Sequence, residues 1–457
     1  MKKALIFLLM VVLTVSLAAC GGGKSGSEGT QSEQSGSGSG SSGQTSGDGG
    51  EAKKEKVKLS LWHNFTGNDL RATMMREQIE QFQKERPDIE LEIQAIPPDG
   101  YKTRLKTVAA ANEMPDVFMM WPGAMTKEFH AGGLIQPINA LLDSKPEWRD
   151  GYLPGSFDDF TIDGNIYSAT LGLTPTSILF YNKAILEKYN LEVPKTWDEL
   201  MNAVKVVKEN GITPIALGNK AAWLAQSSII SSLADRVTGT EWFLKASAQD
   251  GAKFTDPEFV QALTLLQDLW KAGAFQEGFN SIDNTQMEVM FAQGQAAMMI
   301  DGGWALSNLA ANATPEQMKD MGATVLPSVP GGKGNPNSVS GALGSALGLS
   351  SKVEGDRLQA AYDLIYALSG PDVQKKTLDS SNLVSYKAEL DESKVSPIFS
   401  EVYKLVNSVE RTPVYDNVMT SAGSDAVNNG LQELLMGGDP QSIAQKIQDA
   451  QAKSLEN

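Results

Sequence analysis

The residues that could do chemistry in this chain fall into two groups, and neither is a set for breaking bonds in a pocket. The first is a single thiol. Cys20 is the only cysteine among 457 residues, and it follows Leu17-Ala18-Ala19 at the end of an apolar run that begins behind Lys2 and Lys3. A basic start, an apolar stretch and a small-residue pair make an export signal with a cleavage site, and a thiol just beyond that site can be acylated before cleavage. The second group is a scatter of indoles and polar side chains: Trp62, His63 and Asn64, then Asp116 and Trp121, then Trp223, then Asp301 and Trp304. Flat apolar faces beside carboxylates and amides suit non-covalent capture. His63 and His130, the two histidines, stand in no metal-ligand spacing. No GxSxG or paired catalytic carboxylate motif appears, and Gly331 to Gly348 holds no GxxxxGK[ST] phosphate loop.

The elements that must hold these groups read as alternating strands and helices. Val57, Leu59 and Leu61 alternate with charged or polar neighbours, the period of a half-buried strand, and run into the loop from Trp62 to Gly67. Met75, Ile79 and Phe82 predict a helix over Asn68 to Glu85, stopped by Pro87. Ile89, Leu91 and Ile93 predict a second strand, Tyr101 to Asn112 a second helix, and Pro115 to Trp121 a buried strand. That succession implies a parallel α/β sheet, in which ligands sit at the carboxyl ends of strands; Trp62, Asn64, Asp116 and Trp121 are expected there. Asp163-Gly164-Asn165 reads as a hairpin turn. A second alternation begins at Ser177 to Lys183, and Thr196-Trp197-Asp198-Glu199 is a capping box. Ile215 to Leu217 leads to a loop and Trp223, and the apolar Ala296 to Ile300 delivers Asp301-Gly302-Gly303-Trp304 into another, where glycines permit a sharp turn. The rest is mainly helical.

Composition bounds the whole. From Gly21 to about Lys56 the chain is mostly Gly, Ser, Gln, Glu and Thr, too polar to bury a core; as a coil it reaches on the order of 30 to 35 Å. The body beyond this stretch is long enough for two domains. Nothing after Leu17 approaches the roughly 18 apolar residues of a membrane span. A formal net charge of −16 argues against nucleic acid or an anionic lipid surface as the main partner.

Two resemblances rest on these residues. The setting of Cys20 resembles the lipobox of bacterial lipoproteins, which implies a signal peptide over 1–19 and, over 20–55, a lipidated cysteine with a disordered tether. Tyr181-Asn182-Lys183, followed by Pro194-Lys195-Thr196-Trp197-Asp198-Glu199-Leu200, resembles the extracellular solute-binding proteins of carbohydrate ABC importers. Pro115-Asp116-Val117, Gly133-Leu134-Ile135-Gln136-Pro137, Gly164-Asn165-Ile166-Tyr167, Gly294-Gln295-Ala296-Ala297-Met298 and Gly303-Trp304 match the same family in order, from about Lys56 to the C-terminus. The resemblance implies an α/β, two-lobed periplasmic-binding-protein-like fold, each lobe a mostly parallel sheet flanked by helices, with the ligand cleft between them. Lobe 1 is expected over 56–171 plus 342–383 and lobe 2 over 172–341 plus 384–457, with crossings near Leu171 to Thr176, Ser340 to Gly344 and Asn382 to Tyr386. It further implies a monomer without cofactor, metal or catalysis, lipid-anchored on the outer face of the cell membrane of a Gram-positive bacterium. Such a protein captures a disaccharide or short oligosaccharide and delivers it to permease subunits driven by an ATPase.

A sugar ring has apolar C–H faces and a hydroxyl rim, so the expected site combines indole platforms with paired hydrogen-bonding groups. Trp304 is the first platform, then Trp223, Trp121 and Trp62. Asn64, Asp116 and Asp301 are hydroxyl partners, each with the alternative of a turn or cap residue satisfying its own backbone. His63 is a partner or a packed loop histidine, and Tyr386 and Tyr415 are further cleft candidates. A secreted glycoside hydrolase or a carbohydrate-binding surface protein is the alternative from another class, since indoles and carboxylates serve both.

Overall fold

The computed structural model describes residues 55–456; the export signal, Cys20 and the tether lie outside them. The first half of the body is built as its periodicity demands. Strand β1 (Val57–His63) buries Leu59, Leu61 and His63 on one face. Helix α1 (Leu70–Glu85) starts at Asp69, whose carboxylate accepts from the Ala72 amide at 2.9 Å, and buries Ala72, Met75, Ile79 and Phe82. Strand β2 (Ile89–Ala95), helix α2 (Pro98–Ala110) and the wholly buried β3 (Val117–Met120) complete the unit. The sheet order is Ala346–Leu349, β3, β1, β2. β1 pairs parallel with β2 and β3, and the late strand Ala346–Leu349 closes the edge antiparallel to β3.

The second sheet corrects one expectation. Its order is Met321–Val325, Ile178–Asn182, Ala296–Asp301, Thr213–Ala216, and two of its three pairings are antiparallel; only Thr213–Ala216 runs parallel to Ala296–Asp301. Ile178–Asn182 enters from the first lobe, so it runs against strands delivered by helices of the second.

The Asp163–Gly164 hairpin joins Thr161–Ile162 to Asn165–Ile166, both turn residues having positive φ. The Thr196 capping box closes in both directions on Glu199.

Two hydrophobic cores result. One gathers Leu59 to Leu171 with Leu343 to Val373 and Tyr386; the other gathers Ile178 to Val329 with Leu378, Leu383 and Ile398 to Ile447. Between them runs a third sheet, with Ser338–Leu343 antiparallel to Leu173–Pro175 and parallel to Glu410–Thr412. Leu173 N donates to Leu383 O at 2.9 Å and Gly344 N to Gly172 O at 2.7 Å. A Cβ on Gly172 would stand 2.7 Å from Leu383 O, so the crossing strands approach too closely for any side chain there. No helix of the described residues is long and apolar enough to cross a membrane.

Candidate functional site

The carboxyl end of Ala296–Asp301 sets one wall. Asp301 is fully buried and accepts from Gly302 N at 2.8 Å and from Asn284 Nδ2 at 2.9 Å. That fixes the Asn284 amide so that its Oδ1 accepts from Trp304 Nε1 at 3.0 Å. The glycines act otherwise than expected. Neither Gly302 nor Gly303 has positive φ; a Cβ on Gly302 would lie 2.1 Å from the Trp304 ring, so the absent side chain is what lets the indole lie flat on the backbone. Trp223 meets Trp304 edge to face, centroids 5.5 Å apart. It follows Ala222, a non-glycine residue at φ +66°, a conformation that costs on the order of 1 kcal/mol. Buried Asn219 over-determines that loop, bonding Asn280, the Ala225 amide and the Ala222 amide.

The facing wall comes from the carboxyl ends of β1 and β3 and the starts of α1 and α2. Tyr101 Oη donates to Trp62 O at 3.0 Å and accepts from Met119 N at 2.9 Å, tying Trp62 and Trp121 to one buried ring. Both indoles are half-buried; Lys102 Nζ lies 4.8 Å from the Trp121 centroid and the Arg104 guanidinium 5.4 Å from that of Trp62.

The walls touch. Trp223 Nε1 donates to Asp99 Oδ1 at 3.3 Å, Ser307 Oγ to Asp69 Oδ1 at 3.2 Å, and Ser421 Oγ to Glu128 Oε2 at 2.7 Å, while Lys102 pairs with Asp416 at 2.9 Å. The cleft is therefore closed. Burial pushes the Asp99 carboxyl up, opposed by the Trp223 bond; Asp283 adds to the rise and Lys220 works against it. Arg71, two residues past the α1 cap, has no hydrogen-bond partner among the described residues: its Nε is sealed from solvent, its guanidinium lies 5.8 Å from the Phe65 ring, and burial lowers its pKa against the pull of Asp69. The Asn64 side chain, half-buried in the preceding loop, bonds no other described residue.

Trp62, Asn64, Trp121, Trp223 and Trp304 thus stand on the two walls, and five other candidates do not. Asp116 precedes β3 at its amino end, where it accepts from Ser60 N at 2.8 Å and pairs with Arg357; the reading of it as a carboxyl-end residue is corrected. Asp301 lies behind the wall and acts through Asn284. His63 is packed, at the end of β1 and not in the loop: its Nδ1 accepts from Phe65 N at 3.1 Å, and burial, with Arg76 adding to it, lowers its pKa to about 4, so the ring is neutral. Tyr386 packs edge-on against Tyr152 at 5.0 Å and donates to Glu147 O, buried in the first core. Tyr415 stacks on Phe243 at 4.0 Å inside the second core. Asp69, Asp99, Lys102, Asn284 and Arg71 escaped the sequence reading; the only local signals were helix-cap positions.

Asp116 offers a direct check. Asp116→Ala strips the acceptor from Ser60 N and unpairs Arg357, so stability should fall by about 1–3 kcal/mol with ligand affinity unchanged; thermal melts and titrations on the same sample decide it. Two open depressions also lie off the cleft, one beside Leu70 to Gln81 and Lys376 to Ser380, the other around Asp116 and Arg357.

The comparisons agree with this architecture. The family model described as bacterial extracellular solute-binding protein matches residues 67–375. An uncharacterised ABC transporter extracellular-binding protein of Pyrococcus horikoshii is 27% identical over 280 residues, spanning 60% of this chain and 62% of that one. The multiple sugar-binding protein of Streptococcus mutans is 24% identical over 356 residues, 76% of this chain and 79% of that one. A solved structure from work on xylan utilisation by Caldanaerobius polysaccharolyticus superposes with a TM-score of 0.78 at 29% identity, covering 86% of this chain and 99% of that one.

Proposed function

We propose that this chain, which belongs to the bacterial extracellular solute-binding protein family, captures a saccharide between its lobes and hands it unaltered to the permease of an ABC importer. One observation carries the reading: Trp223 and Trp304, their rings inclined at 64° on one wall, meet Asp99 and, through Ser307, Asp69 on the other wall, which also carries Trp62 and Trp121. Two steeply inclined indoles offer a stacking face and an edge to a ring, and carboxylates at the opposite lip accept hydrogen bonds from hydroxyls. A relative named as a multiple sugar-binding protein and a similar structure from work on xylan utilisation support the ligand class, and a disaccharide or short oligosaccharide fits walls that carry four indoles. Arg71 and Asn64 supply unpaired donors for its rim.

Closure is driven by the ligand's greater affinity for the closed state. The lobes are assigned as 56–171 plus 342–383 and 172–341 plus 384–457, with Leu378 and Leu383 packing into the second core. The mature chain begins at lipidated Cys20, and two acyl chains give a stable anchor where one does not. It acts as a monomer without cofactor.

A thermal-shift screen against mono-, di-, tri- and tetrasaccharides tests the reading, because a ligand at 100-fold its Kd adds about 2.7 kcal/mol to the folded state. A shift with a short oligosaccharide, recovered with no new reducing ends, supports capture; release of reducing ends makes the chain a hydrolase. Arg71→Ala should weaken binding of the responding saccharide by about 1.5–3 kcal/mol, the range of a hydrogen bond to a charged group, measured by calorimetry.

A further inference from the structure

Away from the indole pair, the rim of the cleft is spanned by contacts that ligand capture alone does not explain. Helix α2 carries Lys102 and Lys106 one turn apart, and across the rim they meet Asp416 at 2.9 Å and Asp425 at 3.6 Å. Glu128, exposed on the helix Ala124–Ala131, accepts from Ser421 N at 3.0 Å and from Ser421 Oγ at 2.7 Å. Ser421 opens the helix Ser421–Leu434, so a carboxylate of the first lobe sits on the amino end of a helix of the second, where free amides and the helix dipole favour it. The backbones touch as well: a Cβ on Gly123 would stand 2.2 Å from Asn417 O. Tyr101, Leu105, Met125 and Phe129 on one side belong to the first core, and Tyr415, Met419 and Val427 on the other to the second. Each of these contacts therefore crosses from lobe to lobe.

The helix Ser421–Leu434 carries the rim contact to the ligand wall. Gln226 Nε2 donates to Ser424 Oγ at 3.0 Å, and Gln432 Nε2 donates to Asn219 O at 2.9 Å; Asn219 is the residue that holds the loop of Ala222 and Trp223. On the opposite side, Lys102 Nζ lies over the Trp121 ring as well as against Asp416. Seating Ser421 against Glu128 and seating Trp223 against Asp99 are therefore one displacement of one packed unit.

We propose that Glu128, Lys106 and Asp425 are positioning residues for closure: without touching the ligand they form a latch that holds the ligand-free lobes together for part of the time, and so set the saccharide affinity. The inference rests on the reading of the cleft as the saccharide site. A contact made only when the lobes are together raises the closed fraction, and apparent affinity rises with that fraction. The charges are sorted for this: Lys102 and Lys106 stand on the first lobe, Asp416 and Asp425 on the second. Exposed ion pairs contribute little each, so Glu128, with two charge-assisted bonds at a helix end, holds the larger share.

The test uses the chain from residue 20 onward carrying Cys20→Ser, so that the tether is the same in every sample and no lipid enters. The probe is xylotriose, or the tightest binder of the saccharide screen if xylotriose gives no heat. Glu128→Lys sets a cation against the helix end and should weaken its binding about tenfold or more. Lys106→Glu sets two carboxylates face to face and should weaken it about two- to fivefold. Adding Asp425→Lys to Lys106→Glu restores an opposite pair in reversed order, and affinity should return to within about twofold of wild type, a recovery that a local structural role does not produce. Small-angle X-ray scattering needs no ligand: Glu128→Lys and Lys106→Glu should each have a larger radius of gyration than wild type, and the double variant should match wild type, with circular dichroism showing every chain folded. Equal radii and equal affinities throughout, or losses that simply add in the double variant, overturn the latch and leave saccharide capture standing. Radii that shift as expected with no saccharide bound by any of the chains keep the latch and overturn its link to affinity, together with the reading of the cleft.

Discussion

Trp304→Ala is expected to cost about 1–3 kcal/mol of saccharide affinity, a loss of roughly 5- to 150-fold, while leaving the melting temperature within a few degrees of wild type. The asymmetry follows from where the indole stands. Trp304 is half-buried at the cap of the helix Ala305–Asn312, packed at the edge of the second core rather than within it. Its removal deletes a ligand surface and frees one Asn284 acceptor, but opens no cavity deep in the fold. Calorimetry on a protein shown folded by circular dichroism checks it. Unchanged affinity would remove the Trp304 wall from the site.

Gly302→Ala should be nearly as damaging, although it deletes nothing. The added methyl would sit 2.1 to 2.3 Å from three atoms of the Trp304 ring, far inside van der Waals contact, so the indole must leave its seat. Overpacking of this kind costs about 1–3 kcal/mol, and here it falls on the platform and on the Nε1 bond to Asn284. The strong form of the expectation is non-additivity: once Trp304 is alanine, Gly302→Ala has no ring to displace, and the double variant should bind no worse than Trp304→Ala alone. An additive double variant would mean that Gly302 matters for some other reason.

The sequence disclosed what is local and periodic. Alternation at Val57, Leu59 and Leu61, the stripe Met75, Ile79 and Phe82, the Asp163–Gly164 turn and the Thr196–Glu199 box all formed as their spacing requires. The place of Trp304, just past the end of an apolar strand and two glycines, was legible from the run itself. Direction and distance were not legible. Asp116 stands beside a strand in the sequence, but the strand begins after it, which puts it at the wrong end. Periodicity cannot say whether Ile178–Asn182 runs with or against its neighbours, since that depends on where the chain re-enters the sheet. Asp69 and Asp99 look like helix-start residues, and both are; their facing partners Ser307 and Trp223 lie 238 and 124 residues away. Tyr415 carries the same letter as a platform residue, and only its stack on Phe243 shows that it is core.

The central claim is that neutral or singly charged oligosaccharide binds between the indole walls and leaves unchanged. Calorimetric titration of residues 56–457 with di-, tri- and tetrasaccharides tests it most directly. The account predicts one saturable site for at least one of them, with a negative heat-capacity change from apolar burial and heat that ends at saturation. Absence of heat from every saccharide, or heat that continues after saturation as ligand is consumed, would contradict it.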